Sequence, residues 1–219
     1  MLNGKKSSYN SVTSGVIQGS VLGPVFALVM LDSIDEVIKY GKASKYADDN
    51  KIYGIVTNDY ERQLLQDDLN RVKNWADSWG FELNATKCCV LQFGKTERRW
   101  QFFIGGYPLR ESKVEKDLGV MVRSDLKWDN QVKLATHKAR VSAYSLAKVL
   151  ISKEKEVWSS LFKTFVRPHI EYASMAWLPS QAGHIKTLES VQRWFTRQIP
   201  GFGHLQHTER YHNCGLQTI

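Results

Sequence analysis

Three cysteines and five prolines are spread over 219 residues, and no apolar run is long enough to cross a bilayer. The longest, Val21 to Leu31, is 11 residues and already contains Gly23 and Pro24, against the roughly 20 that a spanning helix requires. It also starts too far from Met1, and lacks the small-residue cleavage pattern, to read as a secretory signal. Cys88 and Cys89 are adjacent and cannot readily bond to each other, and Cys214 makes the count odd, so no disulfide framework is implied. A reducing, intracellular setting without membrane attachment is the expectation. Glycine, at 15 residues, is too sparse for a collagen-like or low-complexity chain, and 42% hydrophobic residues are enough for a globular core.

Charge is unevenly placed. Residues 1–86 hold 9 Lys+Arg against 11 Asp+Glu, a net of −2, and residues 87–219 hold 21 against 11, a net of +10. This asymmetry suggests a polyanion held by the later part beside carboxylates in the earlier part; a solvated basic face is the plain alternative.

Pro24 at a first-turn position, with Phe26, Met30, Ile34, Val37 and Ile38 at helical spacing and Gly41 beyond, predicts a helix over 24–39. Ala43 to Ala47 and Asn50 to Val56 flank Asp48-Asp49, which predicts a β-hairpin with the acidic pair at its tip. Asn58 followed by Glu61 resembles a capping box, and Leu65, Leu69, Val72 and Ala76 carry a helix over 59–79, expected to pack on the sheet. Strands are expected at 88–93, 100–104, 107–109 and 114–123, with Gly105-Gly106 as a tight turn. From Asp129 the pattern is helical. Its stripes are Val132, Ala135, Ala139, Ala143 and Leu146; then Val157, Leu161, Phe162 and Phe165; then Ile185, Leu188, Val191, Phe195 and Ile199. A final helix is expected to begin near Thr208 and to be cut off at the chain end. The fold class is therefore α+β, an α+β lobe over 1–128 followed by an all-α lobe over 129–219.

Tyr46-Ala47-Asp48-Asp49 is the sharpest chemical feature. Paired carboxylates suit hard divalent cations, but neighbouring strand residues point to opposite faces, so both serve one site only if the turn swings them together. Upstream, Ser14 to Pro24 combines small residues that permit close backbone approach with one amide, Gln18, before a helix start. Downstream come Leu83 to Cys88 and Lys116-Asp117-Leu118-Gly119-Val120. A fourth set, His204, His207, His212 and Cys214, matches no zinc-ligand spacing and is read as incidental.

In order and over nearly the whole chain, these blocks resemble the reverse transcriptases of non-LTR (LINE-type) retrotransposons, in the manner of jockey-like and CR1-like elements. Ser14 to Pro24 resembles motif B, Tyr46 to Asp49 the catalytic Tyr-x-Asp-Asp, Leu83 to Cys88 motif D, and Asp117 to Val120 the primer grip. Val166 to Ala173, Trp177 and Leu188 to Arg193 are similar to the thumb and post-thumb segment.

The resemblance implies a partial palm followed by a helical thumb, and RNA-directed DNA polymerase activity. That activity is Mg²⁺-dependent transfer from deoxynucleoside triphosphates to a DNA primer on an RNA template, or on the RNA–DNA hybrid they form. It further implies that Asp48 and Asp49 are metal ligands, and that Lys87 stands near the departing pyrophosphate. Ser14, Gly15, Gln18, Gly19 and Tyr46 would line the nucleotide and template pocket. Leu118 and Gly119 would hold the primer end, and Lys133, Lys138, Arg140 and Lys148 would follow the phosphate backbone.

Two departures stand out. Ile17 occupies the usual place of a proline, and the third carboxylate, motif A, has no counterpart, since the first acidic residue is Asp32, downstream of motif B. With the fingers also lacking, the isolated chain is expected to be a fragment that does not polymerise. The alternative from another class is a non-catalytic nucleic-acid-binding remnant. Oligomeric state is not indicated by the sequence.

Overall fold

The computed structural model describes residues 19–47, 49–94, 98–152, 154–177 and 181–218. It is mixed helix and small two-stranded sheets, an α+β chain that divides into two compact units. One comprises Met1–Val90 and Thr96–Glu111, the other Leu91–Lys95 and Ser112–Ile219.

In the first unit the order is α1 (Gly23–Asp32), α2 (Ile34–Val37), β1 (Lys42–Tyr46), β2 (Asp49–Tyr53), α3 (Asp59–Ser78), β3 (Cys89–Leu91), β4 (Phe103–Ile104), β5 (Tyr107–Pro108) and β6 (Arg110–Ser112). The chain passes between units within β3 and β6. The single helix predicted over 24–39 is in fact two, broken at Ser33. The Ser33 hydroxyl donates to Met30 O (2.8 Å) and accepts from Trp75 Nε1 (3.0 Å), side-chain bonds that compete with the helical ladder. The predicted apolar stripe also fails on α1, where Phe26 is 58% exposed; only Ile34 of α2 is deeply buried.

α3 follows its sequence closely. The Asn58 side chain accepts from Glu61 N (2.9 Å), while the Glu61 carboxylate accepts from Thr57 N and Oγ1 (both 2.6 Å). Successive turns along one face of α3 carry separate clusters. Leu65 packs with Trp100, Phe102, Ile104 and Leu109, and Val72, Trp75 and Ala76 pack with Ile34; Ile52 of β2 contributes to both. The Gly105-Gly106 turn between β4 and β5 forms as predicted, with φ of +57° and +82°, the left-handed region of a primed hairpin turn.

The second unit contains β7 (Val114–Asp117), β8 (Val120–Arg123), α4 (Asp129–Val149), α5 (Lys155–Leu161), a π-helical stretch (Phe162–Val166), α6 (Arg167–Glu171), α7 (Ser174–Trp177), α8 (Ala182–Arg197) and α9 (His207–Asn213). The predicted single strand over 114–123 is a hairpin. β7 and β8 pack with the helices: Val120 joins Val132 in one core, and Met121 N donates to Gln131 Oε1 (2.9 Å). α4 and α8 supply the spine through Ala135, Ala139, Ala143, Leu188, Val191 and Phe195.

The second helical stripe differs from prediction. Trp158, Phe162, Val166 and Ile170 are buried, whereas Phe165 is 51% exposed. Pro168 has no N–H for the helical ladder, and the π turn ahead of it lengthens the repeat so that every fourth residue faces inward. The last helix is not cut off. Leu216 N donates to Tyr211 O (2.9 Å) and Gly215 N to His212 O (3.1 Å), with Gly215 at φ +57°, a Schellman termination that folds Leu216 into the core.

Candidate functional site

Tyr46 and Asp49 face each other as the last register pair of the β1–β2 hairpin. Ala47 takes φ +52°, which a two-residue hairpin connection requires, so the carboxylate of Asp49 starts a strand and is not at the tip. Asp48 lies outside the described residues. Tyr46 is 66% exposed and Asp49 is also exposed, so both are accessible to a ligand.

The hairpin is fixed by a residue that sequence reasoning missed. Lys45 Nζ donates to Asp32 Oδ1 (2.9 Å), Asp32 O (3.1 Å) and Asp35 Oδ2 (2.6 Å), tying β1 to the end of α1 and to α2. The bonds to Asp35 and then Asp32 raise the Lys45 pKa and keep it charged.

Asp68 of α3 is a second missed determinant. Fully buried, it accepts from Lys39 N (2.8 Å), Tyr40 N (3.0 Å) and Gly41 N (2.6 Å) and pairs with Arg71. Those amides lead directly into β1, so Asp68 sets where the hairpin starts. Gly41 is required there: a Cβ would lie 3.0 Å from Tyr53 O and 3.1 Å from Leu65 Cδ1.

Of the residues expected to line the nucleotide pocket, Ser14, Gly15 and Gln18 lie outside the described residues. Gly19 is described, at φ +88°, and Ser20 Oγ accepts from Gly23 N (3.0 Å) at the start of α1. Lys87 is exposed in a turn shaped by Asn84, whose Oδ1 accepts from Thr86 N (3.1 Å) and Oγ1 (2.6 Å). Among the described residues, no three His, Cys, Asp or Glu side chains gather as a metal would require. Asp49 alone does not make an oxygen cage.

In the second unit, Leu118 (φ +43°) and Gly119 (φ +87°) form the turn of the β7–β8 hairpin. Tyr172 holds it: its hydroxyl donates to Leu118 O (2.9 Å), and a Cβ on Gly119 would lie 3.1 Å from Tyr172 Cε1. Lys133, Lys138, Arg140 and Lys148 are all exposed on α4. At about 100° per residue, Lys133, Arg140 and Lys148 fall within an arc of about 80°, with Tyr144 on the same stripe, while Lys138 sits off to one side. Arg140 also donates to Ser190 Oγ (2.9 Å). Tyr144 lies against Trp194 of α8, ring centres 4.2 Å apart. Sequence reading missed Trp194 because it falls beside the apolar stripe of α8.

Residues 1–138 match the model of the family described as reverse transcriptase (RNA-dependent DNA polymerase). Among curated relatives, the chain is 26% identical over 211 residues to the RNA-directed DNA polymerase from mobile element jockey of Drosophila funebris, covering 91% of this chain and 23% of that protein. It is 28% identical over 206 residues to the probable RNA-directed DNA polymerase from transposon X-element of Drosophila melanogaster, covering 89% of this chain and 22% of that protein. The chain thus spans about a quarter of the length of these relatives. No solved structure matches. With the family model covering more than half of its residues, and these relatives matching along most of its length, this chain belongs to the reverse transcriptase family.

Proposed function

We propose that the chain is the later part of a polymerase palm, within residues 1–128, followed by a thumb over 129–219, in a non-LTR retrotransposon reverse transcriptase. The observation that carries this is the Tyr46–Asp49 register pair in a hairpin, held by Lys45 and Asp68, inside the segment that matches the family model. The activity of the whole protein is transfer of deoxynucleotides to a DNA primer 3′-hydroxyl on an RNA template.

Asp48 and Asp49 contribute metal ligands, with Mg²⁺ as the cation, and the rest of the ligand set comes from outside the described residues. When bound, that cation would activate the hydroxyl and stabilise the leaving pyrophosphate. Lys87 supplies positive charge for the same pyrophosphate. Ser14, Gly15, Gln18, Gly19 and Tyr46 line the nucleotide and template pocket. The Leu118–Gly119 turn, stiffened by Tyr172, holds the primer end, and Lys133, Arg140 and Lys148, with Lys138 at the flank, follow the backbone.

The test is a chimera in which this chain replaces the matching quarter of the Drosophila funebris jockey polymerase, assayed for primer extension on an RNA template with Mg²⁺. Extension that vanishes in Asp49→Asn is expected. A chimera that binds the primer–template and extends equally well with Asn at position 49 would overturn the assignment.

A further inference from the structure

We infer that the cavity between α8 and α9 is a second nucleic-acid site, which takes a backbone phosphate of single-stranded RNA or DNA with a base laid against Trp194. The inference rests on the polymerase reading and adds to it a site separate from the α4 stripe. The cavity is about 380 Å³ and is lined by Arg193, Trp194 and Arg197 of α8, Leu205 and Gln206 of the connection, and His207 and Arg210 of α9.

Arg210 is the informative residue. It is 7% exposed, yet all its partners are neutral: Nε donates to Thr196 Oγ1 (3.2 Å), one terminal nitrogen to Leu205 O (2.5 Å) and the other to Arg193 O (3.4 Å). A guanidinium has five N–H donors, so two remain, and a buried cation without a carboxylate is costly until an anion meets it. Arg193 and Arg197, one helical turn apart, bring two further cations to the same cavity. Arg193 donates from a terminal nitrogen to Lys186 O (2.9 Å), and its ion pair with Glu189 is long (3.8 Å).

Three guanidiniums around one cavity suit a phosphate, to which arginine bonds in bidentate fashion. The aromatic wall selects among phosphates. Trp194 lies against Tyr144, which continues onto the α4 stripe with Lys133, Arg140 and Lys148. Basic side chains interleaved with aromatic faces are what a single strand uses, since its bases are free to stack. A duplex, with its bases already stacked, would engage the α4 stripe alone.

The whole chain would be titrated with a fluorescein-labelled RNA hexamer and, separately, with an RNA–DNA hybrid. The variants are Arg193→Gln/Arg197→Gln, Trp194→Leu, and Lys133→Gln/Arg140→Gln/Lys148→Gln, each checked by near-ultraviolet circular dichroism. The arginine double variant should bind the hexamer about tenfold more weakly and the hybrid as wild type does. Trp194→Leu should lose the tryptophan quenching seen on hexamer addition, and inorganic phosphate should displace the hexamer without quenching. Unchanged hexamer affinity in the arginine variant, with hybrid binding lost in the α4 variant, would overturn the second site while leaving the polymerase reading intact. Binding of neither nucleic acid by wild type would remove both. Displacement of the hexamer by poly-glutamate at equal charge concentration would show a general acidic-ligand cleft and overturn the proposal.

Discussion

Single residues do most to position the candidate site, and Asp68 is the clearest case. Burial pushes its pKa up, yet the amides of Gly41 and Lys39, the Arg71 guanidinium and the Tyr40 amide together hold it below the usual carboxylate range. A depressed folded pKa means that the charged carboxylate stabilises the fold above the unfolded value of about 3.9, and that this contribution is lost as pH falls through the folded value. Asp68→Asn should therefore lower stability by about 2–4 kcal/mol at neutral pH. In urea unfolding the gap to wild type should narrow on acidification through the folded pKa; a gap that widens there would contradict the assignment. Gly119 offers a second test. At φ +87° and with Tyr172 Cε1 3.1 Å from an added Cβ, Gly119→Ala meets both backbone strain and a steric clash. We expect a loss of about 1–2 kcal/mol from strain alone, only the steric part of the total being recovered by adding Tyr172→Ala. Thermal unfolding of the single and double variants separates the two.

At the scale of elements, identical chemistry gives opposite expectations according to where a helix sits. Phe162, in the π stretch, is fully buried against Phe195, whereas Phe26 on α1 is 58% exposed. Phe162→Ala should cost about 3–5 kcal/mol, and Phe26→Ala should stay within about 0.5 kcal/mol, read from denaturant midpoints. Equal losses would place α1 in a core. The same contrast explains what the sequence made legible. α3, α4 and α8 show one apolar face and polar flanks, so the bounds of α3, the start of α4 and most of the buried residues of all three could be read from periodicity. α1 is apolar nearly all round, which carries no phase information, and its break depends on the Ser33 hydroxyl meeting Trp75, 42 positions away. The π turn shifts the inward face by a residue, which no 3.6-residue template anticipates. Of the site, Tyr46 and Asp49 were legible as a motif. Lys45 and Asp68 were not, because their partners are brought together only by the fold.

For the whole molecule, the division into compact units sharpens the charge asymmetry that the sequence shows. The unit containing the hairpin holds 13 Lys+Arg against 13 Asp+Glu and is neutral, while the helical unit holds 17 against 9, so the entire +8 resides there. Under the proposed function, the cationic unit with its exposed stripe is the one suited to a polyanion. Hybrid affinity should then fall with salt at a slope of roughly 0.7–0.9 log units per phosphate contact, since each contact releases condensed counterions. Replacing Lys133, Arg140 and Lys148 by Gln in the whole chain should flatten that slope by about two to three units, and Lys138→Gln, off the stripe, should add little. Replacing Lys39, Lys42 and Arg62, all in the neutral unit, removes the same formal charge. If long-range field alone governed binding, both triple variants would weaken it alike. A steeper loss confined to the α4 variant, at every salt concentration, would show that the contacts are made by the stripe itself. Equal slopes for the two would show instead that α4 is only a solvated basic face.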